Sequence, residues 1–186
     1  MEYVEPIKDV EILNKIKAIL KQRSIRDYVL FTVGINTGIL ASQLLKMKVK
    51  DVYKGENVKE FYCLNDPKSG EMKQIYLNNN VRNALIEFSK YVELGEDDYL
   101  FKSKKNSEPI TRQQAYRIIN NVAREVGITE KIGTHTLRKT FGYHAYVKGI
   151  AVSLLQSLFN HATPAETLRY IGIDKTTCVV KIDVNL

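Results

Sequence analysis

Cysteine is scarce: the chain has two, Cys63 and Cys178, far apart and in no metal-ligand spacing. That excludes a disulfide framework and leaves two reduced thiols of a cytoplasmic protein as the expectation. Long apolar runs are missing too, and none approaches the roughly 20 residues of a membrane-spanning helix. The opening Met-Glu-Tyr-Val-Glu-Pro is acidic and leads into no apolar stretch, so it does not read as a secretory leader. Internal repeats, low-complexity tracts and Ser/Gly/Pro linkers are absent, so residues 1–186 read as one domain. Acidic residues are in deficit, with 21 against 28 Lys and Arg, for a net charge of +7 and a pI near 9.3. Such a balance favours a polyanionic partner, because each neutralised phosphate releases condensed counterions. Charge alone does not separate a nucleic-acid binder from other basic proteins.

What is present is an ordinary globular composition, 44% hydrophobic and 26% charged, enough for a real core. Asp9 is placed to cap a first helix whose stripe is Ile12, Leu13, Ile16, Ile19 and Leu20. A second helix is expected from Ile25 to Ile35, stopping at Asn36-Thr37-Gly38, and a third over Ala41–Met47. Val49–Val52, Glu60–Leu64 and Lys73–Leu77 are β-prone runs. The turn formers Asn65-Asp66-Pro67-Lys68-Ser69-Gly70 separate the last two, which predicts a small antiparallel sheet with Lys68 on its turn. Val81, Ala84, Leu85, Phe88 and Val92 then form a helical stripe, and Ala115 to Val126 a cleaner one between Thr111 and Gly127. Helices are further expected over Thr134–Val147, Ala151–Phe159 and Pro164 to about Ile171. The last opens with Thr163-Pro164-Ala165-Glu166, read as a capping box. Beyond Gly172 only Cys178-Val179-Val180 is β-prone. The fold class is therefore mainly α with a small antiparallel β-sheet.

Polar residues of the second half invite a chemical reading. His135 and Arg138 are three positions apart and share a helix face. His161 precedes the last helix and Tyr170 lies near its end. Taken singly each has a plain explanation: a capping histidine, a solvated arginine, a tyrosine packing its ring, a lysine on a turn. His144, on the helix of His135, reads as a packing or hydrogen-bonding residue. The clusters Lys102-Ser103-Lys104-Lys105 and Arg112, Arg117, Arg124 read as solvated faces.

Order and neighbouring letters alter that reading. His135-Thr136-Leu137-Arg138-Lys139-Thr140-Phe141 resembles the His-x-x-Arg box of the tyrosine recombinases, the phage-integrase family. Leu154 to His161 resembles their "LLGH" segment, with Phe159-Asn160 where Leu-Gly is usual. Nine residues after His161, Thr167-Leu168-Arg169-Tyr170 matches the stretch that ends in the nucleophile. Upstream, Asn36 to Ile39 and Leu44 to Val52 are similar to the "TGLRxSELLxLxxxDI" box, and Lys68 matches the hairpin lysine. The resemblance covers essentially the whole chain.

It implies the catalytic-domain fold of DNA breaking-rejoining enzymes and phosphodiester exchange without a cofactor or metal. Tyr170 would attack the scissile phosphate and form a 3′-phosphotyrosine link, which conserves the bond energy for rejoining. A phenol of pKa near 10 needs an electropositive site and a proton acceptor. Arg138 would clamp a non-bridging oxygen with paired hydrogen bonds. His135 and His161 would orient the phosphate, with His135 also a proton acceptor, and Lys68 would protonate the departing 5′-oxygen. Arg112 at a helix start, Lys73 and Lys139 are the expected DNA contacts. Double-stranded DNA is the implied partner, with no membrane. The tail, through Val179, Val180 and Ile182, is expected to mediate self-association on DNA. No core-binding or arm-binding domain is read in the chain, which is either a fragment or a single-domain recombinase.

The pattern breaks at Leu40, where the family carries its first catalytic arginine, and at Gln43, where an acidic residue is usual. A leucine neither donates a hydrogen bond nor offsets charge, and losing one such donor costs on the order of a hundred- to thousand-fold in rate. The expectation is an intact fold with crippled cleavage, unless another cation such as Lys48 or Lys73 substitutes in part. The rivals are a DNA-binding regulator or accessory protein that kept the fold and lost cleavage, and a type IB topoisomerase-like relaxase.

Overall fold

A computed structural model describes residues 4–65, 70–93 and 95–173. Asp9 caps α1 (Val10–Arg23) as expected, its carboxylate accepting from the Glu11 amide at 2.7 Å. Ser24 ends that helix and caps α2 (Ile25–Thr37), which stops at Gly38 in a left-handed conformation (φ 66°). Helix α3 (Ala41–Leu45) is shorter than predicted. Its first turn is held by Gln43, whose Oε1 accepts from the Leu40 amide at 3.1 Å.

The β-prone run Val49–Val52 is a correction, since it forms a helical turn, α4. Asp51 reaches back to accept from the Lys48 amide at 2.8 Å, and the Val49 and Lys50 amides donate to the Asp98 and Glu96 carbonyls. These long-range partners override a weak strand propensity. The strands form two separate ribbons rather than one sheet. The unforeseen β1 (Tyr53–Lys54) pairs with β2 (Asn57–Val58), and β3 (Phe61–Asn65) pairs antiparallel with β4 (Met72–Tyr76). Lys68 falls in 66–69, outside the described residues, as does the tail with Cys178, Val179, Val180 and Ile182.

Helices α5 (Asn79–Ser89), α6 (Arg112–Glu125), α7 (Thr134–Val147), α8 (Val152–Phe159) and α9 (Pro164–Tyr170) follow the predicted stripes. The start of α9 is a modified capping box. Thr163 accepts from the Glu166 amide, but the Glu166 carboxylate accepts from Ala162 rather than from Thr163.

The main core joins α1, α2, α5, α6 and α7 through Ile16, Leu30, Phe31, Leu85, Ile119 and Leu137. Helices α2 and α7 approach closely at Gly34, where a Cβ would stand 2.5 Å from Leu137 Cδ1. A second, small cluster of Leu155, Phe159 and Ile171 holds α8 and α9 against α7. Residues 4–8 strap the other side of α7: the Ile7 amide donates to Thr140 Oγ1, and the Ile7 carbonyl accepts from His144 Nε2. Among the described residues no helix is long and apolar enough to cross a membrane.

Candidate active site

The close contact at Gly34 decides where Arg138 can go. One turn after Gly34, α2 ends at Gly38, and its carbonyl accepts from Arg138 Nη1 at 2.6 Å. Nη2 donates to the Leu158 carbonyl at 3.4 Å, and the guanidinium carbon lies 4.6 Å from the Phe159 ring centroid. Arg138 is only 7% exposed. A buried cation is tolerated only when its donors are satisfied, and two carbonyls and an aromatic face help to do that here. These partners are neutral, and the guanidinium keeps its charge.

Tyr170, the last residue of α9, lies within the electrostatic reach of the Arg138 guanidinium. Its ring sits 5.4 Å from Phe159 and 4.9 Å from His161, centroid to centroid, and Lys139 Nζ lies 5.1 Å over it. Burial pushes the phenol above its ordinary range, while the nearby charge of Arg138 pulls the other way. The phenol is therefore protonated at neutral pH, and a nucleophilic role requires a base.

His161 follows Asn160, which ends α8 in the left-handed region (φ 56°) that glycine favours and asparagine tolerates. The His161 Nδ1 is 3.0 Å from Thr167 Oγ1, whose own hydroxyl donates to the Thr163 carbonyl. This contact engages His161 through Nδ1. His135, half-buried in the first turn of α7, has Nε2 2.7 Å from Arg112 Nη2. Burial lowers its pKa, and the charges of Arg112, Arg138 and Lys139 lower it further.

The sequence-derived DNA contacts are placed less simply. Arg112 is exposed at the start of α6, yet its Nε donates to Thr134 Oγ1 at 3.3 Å and its Nη2 to His135. Lys139 is a correction to the expectation of an outward cation. It is buried, with Nζ donating to the Val4 carbonyl at 2.8 Å beneath Tyr170. Burial lowers its pKa. Lys73 on β4 donates to the Ser157 carbonyl and to Asn160 Oδ1 at 2.7 Å, beside His161 in the chain. Lys48 instead lies over the Tyr99 ring. Leu40 sits half-buried two residues from the carbonyl that holds Arg138.

Of the sequence-derived site residues, the structure places Arg138, His161 and Tyr170 around Phe159, with His135 on the helix of Arg138 against Arg112. Sequence reasoning passed over Phe159 as a mere departure from "LLGH", although that ring touches Arg138, His161 and Tyr170. Thr167 gave no signal beyond its spacing from Thr163. No group of three His, Cys, Asp or Glu among the described residues is placed to hold a metal ion.

Comparison with known proteins yields one family. The model of the phage integrase family matches residues 7–177. The chain is 40% identical over 177 residues to "Probable integrase/recombinase YoeC" of Bacillus subtilis (strain 168), covering 95% of this chain and 94% of that protein. It is 28% identical to "Tyrosine recombinase XerA" of Pyrococcus furiosus, covering 88% of this chain but 56% of that protein. Among solved structures, the XerH site-specific recombinase bound to palindromic difH substrate, a post-cleavage complex, superposes with a TM-score of 0.72 at 19% identity, over 95% of this chain and 52% of that one. At that identity the likeness speaks for the fold.

Proposed function

The chain belongs to the phage integrase family, and on that premise we propose that it is a site-specific recombinase that cuts and rejoins double-stranded DNA through Tyr170. The packing of Tyr170 and the buried Arg138 guanidinium against the same Phe159 ring carries the reading. It joins a nucleophile to an oxyanion clamp on two different helices. In the reaction the phenol oxygen bonds to phosphorus, the 5′-oxygen departs, and the phenol proton passes to a base. His135 is the proposed base, because burial and its cationic neighbours keep the imidazole neutral. His161 and Arg138 hydrogen-bond the phosphate oxygens. Lys68, by its match to the hairpin lysine, protonates the leaving oxygen. Rejoining reverses these steps with a 5′-hydroxyl as nucleophile.

Leu40 makes this a weak catalyst in the proposed reading. The site lacks the second guanidinium at that position, and Lys73, held at the end of α8, supplies only a single ammonium nearby. Self-association on DNA through the C-terminal tail is proposed from the family pattern. The alternative is a DNA-binding accessory protein with the same fold, and Leu40 is the observation in its favour.

Covalent trapping on a nicked suicide substrate tests the proposal. Leu40→Arg is expected to raise trapping by about a hundred- to thousand-fold, and Tyr170→Phe to abolish it. Equal trapping by the unmodified chain and the Leu40→Arg protein overturns the impairment. No trapping by either, with DNA binding intact, favours the accessory protein.

A further inference from the structure

Arg112 belongs to no catalytic set, yet it makes a short contact to a catalytic histidine. Its Nη2 is 2.7 Å from His135 Nε2, and its Nε is braced on Thr134 Oγ1 at 3.3 Å. A guanidinium carries only donors. Nε2 must therefore be the acceptor, and a neutral His135 must carry its proton on Nδ1. The nitrogen fit to receive a proton is thus already in use. We propose that Arg112 is a positioning residue for His135: it fixes the Nδ1–H tautomer, masks Nε2 in the free protein, and releases that nitrogen when a DNA phosphate draws the guanidinium away.

This rests on the recombinase reading, which makes His135 a base. The groups facing the imidazole are consistent with it. Arg112 reaches it from α6, and Arg138 and Lys139 share its own helix. All three are cations that favour the neutral imidazole, which keeps its acceptor in the free protein. Arg112 is exposed at the start of α6, where an arriving phosphate meets its charge. A phosphate oxygen is a stronger acceptor for a guanidinium than an imidazole nitrogen, because the bond is charge-assisted on both sides. Exchange of partners then couples DNA arrival to the appearance of a base. The phenol proton of Tyr170 would pass to Nε2, giving an imidazolium that returns the proton on rejoining.

Nitrogen-15 NMR of the histidine side chains tests this with a readout that a merely structural role would not move. The free protein is expected to show His135 as the Nδ1–H tautomer. Arg112→Lys, also donor-only, should keep it. Arg112→Met should yield mixed tautomers and a titration midpoint shifted upward. Adding duplex DNA to the Tyr170→Phe protein should move the Nε2 resonance of His135. An Nε2–H tautomer in the free protein overturns the proposal, as does an Arg112→Met spectrum identical to the original. Either result can occur with covalent trapping intact, so failure here is distinct from failure of the recombinase reading.

Discussion

Phe159 stacks on Arg138, with the guanidinium carbon 4.6 Å from the ring centroid. The same ring packs edgewise toward His161 and tilts against Tyr170, so one apolar side chain sets three polar ones. Gly142 makes the space: a Cβ there would lie 2.8 Å from Phe159 Cε2 and 2.6 Å from Ile171 Cγ2. Phe159→Leu is expected to cost about 1–3 kcal/mol through weakened packing and removal of the cation–π interaction. Gly142→Ala should cost a similar amount, about 1–3 kcal/mol, by overpacking. The double variant should be less destabilised than the sum, because leucine withdraws the ring edge while the Ile171 clash persists. Chemical denaturation of the four proteins checks this, and strict additivity would contradict the shared space.

Asn160 combines a left-handed backbone (φ 56°) with an acceptor for Lys73. Asn160→Gly keeps the conformation and loses the acceptor. Asn160→Ala loses both, and should be about 1–2 kcal/mol less stable than the glycine variant. Urea midpoints that coincide for alanine and glycine would mean that position 160 abandons the left-handed region.

The pH dependence of stability follows from His135. Its folded pKa lies below the ordinary 6.5 because of burial first and cationic neighbours second. The unfolded chain takes up the proton first on acidification. His135 therefore contributes stability that is complete above about 6.5 and is lost as pH falls through the folded value. The urea midpoint should decline below pH 6.5, and less steeply in His135→Gln. Parallel curves for the two proteins would refute the assignment.

A basic cleft of about 280 Å³ lies between α6 and the segment after Phe101, lined by Arg26, Lys104, Lys105 and Arg117. Arg26 is tied to Asp27 at 2.7 Å and to the Lys102 carbonyl. The exposed Lys104, Lys105 and Arg117 are the natural partners for phosphates. Replacing all three with alanine should flatten the slope of log K against log salt by about 0.9 for each phosphate that is no longer neutralised. An unchanged slope would place the DNA elsewhere.

Much of the fold was legible in the residues alone, and the boundary has a physical cause. Local signals read correctly: the Asp9 and Thr111 caps, the stripe of α6, the stop at Gly38. The error at Val49–Val52 came from a valine-flanked tetrapeptide whose amides are claimed by residues 96 and 98. At the site, residue types and order singled out Tyr170, Arg138, His135 and His161, and the structure gathers Tyr170, Arg138 and His161 around Phe159. Their partners were hidden because they come from afar, as with the Gly38 carbonyl on Arg138 and the Val4 carbonyl on Lys139. A sequence displays a side chain's capacity to donate, not the direction in which it is turned.

The small cluster of Leu155, Phe159 and Ile171 stands apart from the main core. Local opening follows local burial, so α9 is expected to open at lower free energy than the helices of the main core. Chemistry and foldedness are then separately heritable. Eroding these few apolar contacts would displace Tyr170 while leaving the main core, and the basic cleft beside α6, in place.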